Sequence, residues 1–260
     1  MKSPTNNGIL QFMVCSCFLF FLNIKPAGAQ KNAPMQELLQ EFFAGETVYA
    51  QQKKEIQITS CSAFWKSNSV QTVNIPLQFE YGITNRLQFE TGITYNFYSI
   101  PGSFRHNGMG GTEIGLLYNV LNNQNSLAIS LAFDCLLPAQ QNVKEFEESE
   151  VEWEPSLIIA KQFGKMQLHA SFAADITKSD RLFNYNLASV FPFADWRGTL
   201  ELNWQNNGKE MYITPGLIWK GLDDFEFGIG APKNITRSRN EWGAILMITH
   251  EFSLIHKAKQ

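Results

Sequence analysis

The sequence predicts an all-β chain: a transmembrane up-and-down antiparallel β-barrel of about 12 strands, crossing a membrane with its strands. Three observations predict it. Apolar and polar residues alternate with a period of two from residue 53 to residue 253. The chain is charge-poor and aromatic, with 17% charged and 13% aromatic residues and 21 Phe, where a usual soluble domain carries about a quarter charged residues. The alternating stretches are long, and their connections are short at one end and mostly longer or more polar at the other.

Composition also excludes classes. Aromatic content this high with few charges is the opposite of a disordered chain. A mean hydropathy of -0.18 is too polar for a bundle of membrane helices. With 24 acidic and 21 basic residues, a formal charge of -3 and no basic block, the sequence offers nothing for nucleic acid.

The elements follow in chain order. Residues 8–24 hold the only sustained apolar run, after Lys2 and before Ala27-Gly28-Ala29, the small-x-small pattern of a signal-peptidase site. Residues 1–29 are therefore expected to be a cleaved signal peptide, with the mature chain starting at Gln30; the run is short for a ~20-residue span. Export removes Cys15 and Cys17. It leaves Cys61 and Cys135, which an exported protein could oxidise, although one pair is too few for a disulfide framework.

Residues 30–52 form a periplasmic N-terminal segment. Met35, Leu38, Leu39, Phe42 and Phe43 have helical spacing, which predicts a turn or two of helix packed on something, or a plug. The run Glu46-Thr47-Val48-Tyr49-Ala50 can also be read as a docking box for an energy-coupling partner, though five-residue matches arise readily by chance.

From residue 53 the alternation defines strands near 53–65, 70–83, 86–98, 110–121, 126–137, 149–163, 166–176, 182–194, 198–205, 209–220, 224–231 and 241–253, with 254–260 as a tail. Between 73 and 83, for example, Val73, Ile75, Leu77, Phe79, Tyr81 and Ile83 alternate with Asn74, Pro76, Gln78, Glu80 and Gly82. Such a ribbon has one apolar and one polar face. A sandwich would bury the apolar faces together; a membrane barrel turns them to lipid and the polar faces to a lumen. Strand length favours the barrel, because a bilayer crossed at ~45° needs about 9–11 residues. Aromatic residues near strand ends, including Trp65, Tyr81, Phe97, Tyr118, Phe133, Trp153, Trp196, Trp219 and Trp242, suit interfacial belts. Pro76, Pro155, Pro192 and Pro215 fall inside strands of a sheet with no free edge, which predicts bulges or shorter strands there.

Three stretches carry a family resemblance: Glu80-Tyr81-Gly82-Ile83-Thr84-Asn85-Arg86-Leu87, Gly110-Gly111-Thr112-Glu113-Ile114-Gly115 with Tyr118, and Thr214-Pro215-Gly216-Leu217. They resemble the hairpin, the glycine-led strand and the late threonine-proline-glycine strand of the outer-membrane barrels named for the MetA pathway of phenol degradation. Thr112 stands where that family commonly has an aspartate. The resemblance implies a barrel over 53–253 and a transport-related role; it supplies no substrate.

By strand parity the lumen-lining candidates are Glu80, Glu90, Glu113, Asp134, Glu152, Glu154, His169, Asp175, Glu201 and Glu226, with Lys220 near a strand end. A passage lined by one sign of charge enriches counter-ions. This predicts an outer-membrane channel of a Gram-negative bacterium passing small polar or cationic solutes by diffusion. The alternative is a closed barrel filled with its own side chains, whose loops do the work. Glu150, Glu152 and Glu154 lie at ~7 Å steps on one face and offer oxygen ligands to a divalent cation, but solvated acids at a loop edge look the same, so no metal is assigned. Lys66, Arg105, Lys144, Lys178, Arg181, Lys209, Lys233, Arg237 and Arg239 gather at the long-loop end, where outer-membrane lipid and glycolipid phosphates would meet them. Export and barrel-assembly machinery are the implied protein partners. An enzyme is the third reading: no register brings Ser, His and acid together, and no phosphate loop or cofactor motif occurs. The expected catalytic and cofactor sets are empty.

Overall fold

The computed structural model describes residues 35, 37–67, 70–99, 105–124, 126–139, 150–206, 210–222, 224–236 and 240–254. The signal peptide, Gln30, the loop around Lys144 and the tail beyond Leu254 lie outside them. Strands β1 (Glu55–Ser67), β2 (Val70–Gly82), β3 (Leu87–Ser99), β4 (Arg105–Gln124), β5 (Leu127–Leu137), β6 (Glu152–Phe163), β7 (Met166–Ile176), β8 (Arg181–Phe193), β9 (Trp196–Gln205), β10 (Met211–Leu222), β11 (Phe225–Gly230), β12 (Lys233–Asn234) and β13 (Glu241–Ser253) follow one another round a single sheet. β11 and the two-residue β12 lie in line between β10 and β13 and make one stave, so the sheet has 12 staves. It closes where β1 pairs antiparallel with β13 from Glu55 opposite Ser253 to Ser67 opposite Glu241.

Most strand boundaries differ from the sequence expectation by one to three residues, and three of the strand starts bear on the site or its loops. β4 begins at Arg105, not 110, which shortens the expected 99–109 loop; β6 begins at Glu152, not 149; β9 begins at Trp196, not 198. The bulges expected at the prolines are corrected as well, although β6, which carries Pro155, is shorter than expected. None of the four prolines shifts register. Thr59 opposes Gln78 and Ala63 opposes Asn74 in the same register, and only the pairs around Pro76 are missing. There the Ser60 hydroxyl donates to the Pro76 carbonyl at 2.9 Å, in place of a ladder bond. Around Pro155 the β6–β7 ladder skips from Trp153 opposite Ile176 to Ser156 opposite Ala173. Pro215 faces the break between β11 and β12, and its carbonyl accepts from the Ala231 N–H at 3.0 Å. Pro192 lies beyond the last β7–β8 pair. A proline lacks only its own donor, so in a long ladder it deletes a bond on one side and leaves the rest. Register instead shifts elsewhere: in β4 opposite Ile93–Tyr95, where Gly110 and Gly111 face one residue, in β4 between Asn119 and Gln124, and in β10 between Trp219 and Leu222.

The pleat divides the side chains into two sets. Leu77, Leu116, Leu131, Phe133, Phe191, Leu200, Ile229 and Leu246 all point outward and stay exposed, Leu131 by 50% and Ile229 by 59%. A soluble monomer rarely exposes a contiguous apolar patch beyond a few hundred Å². An encircling band of this kind is a surface for hydrocarbon. Phe133 stacks on Trp153 and Phe225 on His250 in this band. Trp65 is a correction to the expected belt: it turns inward, meeting Tyr212 edge-on at 5.4 Å. Cys61 points inward and Cys135 outward, as their registers opposite Met247 and Trp153 require, so the wall stands between the two free thiols.

Candidate functional site

The inside of the barrel is occupied by the chain's own N-terminal segment. Residues 37–52 contain bends but no helix, which corrects the expected helical turn. The apolar residues that suggested a helix are spent on two separate walls. Leu38, Leu39, Phe42 and Phe43 pack with Ala188, Val190, Ile218, Ile245 and Met247, whereas Met35 and Val48 pack with Leu117, Ala128, Ile158 and Ala160. Side chains spread over opposite walls favour an extended path that a helix of the same length cannot follow. The ring of Phe43 lies against Gly216, Gly228 and Gly230, where any Cβ would collide with it.

Polar wall residues hold the backbone of this segment. Glu201, fully buried, accepts the N–H groups of Phe43 at 2.9 Å, Ala44 at 2.9 Å and Gly45 at 3.0 Å. Glu226 accepts the Gln40 N–H at 3.0 Å and pairs with Lys220 at 2.8 Å. Arg197 donates to the Leu38 carbonyl at 3.0 Å. The Val48 carbonyl accepts from Asn119 at 2.9 Å and Ser130 at 2.6 Å. Gln51 donates through its N–H to Gln88 and through its side chain to Gln57 and Glu80. These anchors make the segment a bent loop with its tip at residues 43–46 and its exit at the short-turn end. The Glu46–Ala50 run lies within it, with Val48 wholly buried, and so is not a free docking box here. Above the tip, towards the long-loop end, a cavity of about 800 Å³ is lined by Asn74, Asn184, Asn186, Asn203, Trp65 and Tyr212 among others.

Register places all ten expected lumen residues on the inward face. Their roles differ. Glu201 and Glu226 are anchors. Glu80 and Glu90 are cross-strand partners bridged by Gln88, which donates to Glu80 at 2.8 Å and Glu90 at 3.1 Å. Glu90, Glu113 and Asp134 bring carboxylate oxygens within 4.8 Å of one another, as do Glu46, Asp134 and Glu154, and Glu152, Glu154 and Asp175. Asp175 also accepts from Asn184 at 2.6 Å. His169 is buried against Phe42, with ring centroids 4.9 Å apart, and against Tyr49 at 6.0 Å. Glu150 leaves the expected trio: it accepts from the N–H and hydroxyl of Ser179 in the turn after β7.

Several site residues were missed. Arg197 fell outside the strand expected to start at 198, so its parity was never read. Glu251, which accepts from Gln40 at 2.6 Å, and the inward glutamines 57, 88 and 167 were legible by parity but carried no separate signal. Glu41 and Glu46 were unreadable, since strand parity says nothing about a segment without strands. Burial, and then the neighbouring Glu80 carboxylate, hold Glu41 well above its usual 4.5; burial and then Glu90 push Glu46 up to about 7.

The fold and site thus define a closed 12-stave antiparallel barrel with an apolar exterior and an internal segment held by inward carboxylates and amides. No family model matches the sequence, and no curated protein matches it. Solved structures do. An outer-membrane channel from Pseudomonas putida F1 matches with TM-score 0.63 and 12% identity, covering 79% of this chain and 98% of that one. The KdgM porin in complex with disordered oligogalacturonate matches at 0.56 and 10%, covering 75% and 99%, and the NanC porin at 0.50 and 8%, covering 74% and 98%. The fold is therefore that of outer-membrane porin-like barrels.

Proposed function

We propose that the chain is an outer-membrane channel for small solutes, moved by diffusion, whose passage is closed by residues 35–52 acting as a plug. The observation that carries this reading is the way the segment is held. Polar side chains, not a continuous apolar core, grip its backbone, and water and solute can replace such contacts. A cavity already continues from its tip towards the long-loop end. With Glu80, Glu90, Glu113, Asp134 and Glu154 facing inward against Arg197 and Lys220, the passage favours polar or cationic solutes. The stretches 80–87, 110–118 and 214–217 add the resemblance to the MetA-pathway barrels, consistent with transport. The cleaved signal peptide, export through the assembly machinery and lipid contacts of the basic rim belong to the same reading.

A second reading has its own support. Leu39, Ile218 and Met247 are packed tightly around Phe43, which suits a permanently filled structural barrel. Reversal potentials in planar bilayers separate the two. The channel reading expects cation preference that falls when Glu80, Glu90 and Glu113 are changed together to glutamine. Unchanged selectivity in that variant contradicts the acid-lined passage. Absence of any conductance, even after removal of residues 30–52, favours the filled barrel.

A further inference from the structure

The cavity above the tip of the inner segment is walled mainly by carboxamides, hydroxyls and aromatic rings. On β8 and β9, Asn184 opposes Gln205 and Asn186 opposes Asn203, so four inward carboxamides form a two-by-two patch. On the opposite wall, Asn74 of β2 donates to Asn96 of β3 at 2.7 Å. Trp65 and Tyr212 stand on the wall between the two patches. Trp65 meets Tyr212 edge-on and lies over Gly243, where a Cβ would stand 3.0 Å from its ring; the Tyr212 hydroxyl donates to Glu241 at 2.6 Å. Both rings are thus fixed before any ligand arrives. Two of the amides are short of partners. Asn186, 7% exposed, has none for its side-chain nitrogen and Asn203 none for its side-chain oxygen, among the described residues. Both stand against the tip: a Cβ on Gly45 would collide with the Asn186 amide, and Asn203 donates to the Ala44 carbonyl at 3.3 Å. The described residues that line the cavity include no Lys, Arg or His, whereas Glu46, Glu154, Glu210 and Glu241 are among them.

We propose that this cavity is a binding site for neutral saccharides on the route through the barrel. Its volume of about 800 Å³ falls in the range that holds a small organic ligand, enough for a saccharide of about two rings. A carboxamide presents a donor and an acceptor side by side. Hydroxyls on neighbouring ring carbons present the same pair, so the amide patch matches them without a charge to neutralise. The C–H face of a sugar ring is apolar, and the Trp65–Tyr212 pair offers it a rigid surface. A cavity with four acids and no base among its described lining residues repels acidic sugars and other anions. A cation would use the acids, yet Glu241 and Glu46 already accept the hydroxyls of Tyr212 and Ser156, and the amides would go unused. A ligand hydroxyl at the cavity floor, with a small shift of the tip, gives Asn186 and Asn203 their missing partners; a ligand without hydroxyls leaves them unpaired. The inference rests on the channel reading for the ligand's entry and passage, and names the class of its solute.

Binding is measured apart from conductance, by saturation-transfer NMR on the refolded full-length barrel in a detergent without a sugar headgroup. The probes are maltose, cellobiose and lactose as neutral disaccharides, digalacturonate as the anionic one and the disaccharide of glucosamine as the cationic one. At least one neutral disaccharide is expected to bind saturably in the millimolar range, and the two charged ones at least about tenfold more weakly. Trp65→Ala is expected to weaken the neutral ligand at least about tenfold and Asn203→Ala at least about threefold. The two variants lie on different strands, so one tests the site if the other misfolds; heat-modifiable gel migration identifies the folded species. No saturable binding of any neutral probe by the wild type at tens of millimolar, or undiminished binding by the folded variants, overturns the site. Equal or tighter binding of either charged disaccharide overturns the assignment of class. Saturable binding by a protein that is silent in planar bilayers, with and without residues 30–52, leaves the site standing and removes the channel reading. Conductance without saccharide binding does the reverse.

Discussion

Glu201→Ala removes the acceptor of three consecutive backbone N–H groups, those of Phe43, Ala44 and Gly45, at 2.9, 2.9 and 3.0 Å. A hydrogen bond to a charged group contributes about 1.5–3 kcal/mol, so the three together bound the loss at about 4.5–9 kcal/mol. Ala44 and Gly45 border the cavity above the segment, and water entering from it can satisfy their donors. The Phe43 N–H makes the one fully buried bond of the three, so water reaches it less easily. The expected net loss is therefore about 3–5 kcal/mol of docking free energy. Hydrogen exchange read by mass spectrometry measures this directly. Peptides covering 40–48 are expected to lose protection by roughly a hundredfold or more, while peptides from β2 to β6 keep theirs, because local opening is read separately from global unfolding. Glu201→Gln, which keeps one acceptor oxygen, is expected to fall between. Unchanged protection of 40–48 in the alanine variant would refute the anchoring role. Equal loss of protection in the strands would show that Glu201 supports the barrel rather than the segment.

Three further outcomes follow from the same structure. Phe43→Ala empties the glycine-lined seat on β10 and β11 and is expected to cost about 3–5 kcal/mol of docking, seen as faster proteolysis between residues 37 and 52 with the barrel intact. Leu131→Arg places a charge mid-strand on the outward face and is expected to cost about 2–4 kcal/mol in urea unfolding from lipid vesicles; a neutral effect would mean that this face does not meet hydrocarbon. Docking should also depend on pH through Glu41. Its carboxyl titrates well above 4.5 when docked and near 4.5 when released, so docking takes up a proton. The Glu41 contribution is complete below 4.5 and is lost as pH rises through the docked value. With divalent ions chelated, protease sensitivity of 37–52 is expected to rise with pH, and Glu41→Gln to flatten that rise. An opposite slope in the wild type would contradict the environment described for Glu41.

The barrel was largely legible because its rule is local: period two, read along one strand, assigns a face without knowledge of any partner. That is why Glu80, Glu201 and Glu226 could be placed on the inward side from sequence, and why Arg197 could not once its strand start was set two residues too late. Trp65 shows the limit for aromatics, since nearness to a strand end does not distinguish a belt from an inward ring. The prolines show another, because the missing donor faces only one neighbour and register survives. The inner segment was illegible in form. Its spacing of Leu38, Leu39, Phe42 and Phe43 is helical, yet its conformation is dictated by two opposing walls and by carboxylates more than a hundred residues away in the chain. What each acid does likewise depends on cross-strand neighbours. Glu80 and Glu90 receive amides, whereas Asp134 and Glu154 lie against further carboxylates, and a single strand cannot reveal that difference.

The central claim is that a passage exists and that the N-terminal segment closes it. Single-channel recording of the purified protein in planar bilayers, beside the same protein lacking residues 30–52, tests it most directly. The account predicts rare or small openings for the full chain and a steady, larger, cation-preferring conductance once the segment is gone. Equal conductance in the two proteins, or silence in both, would contradict it.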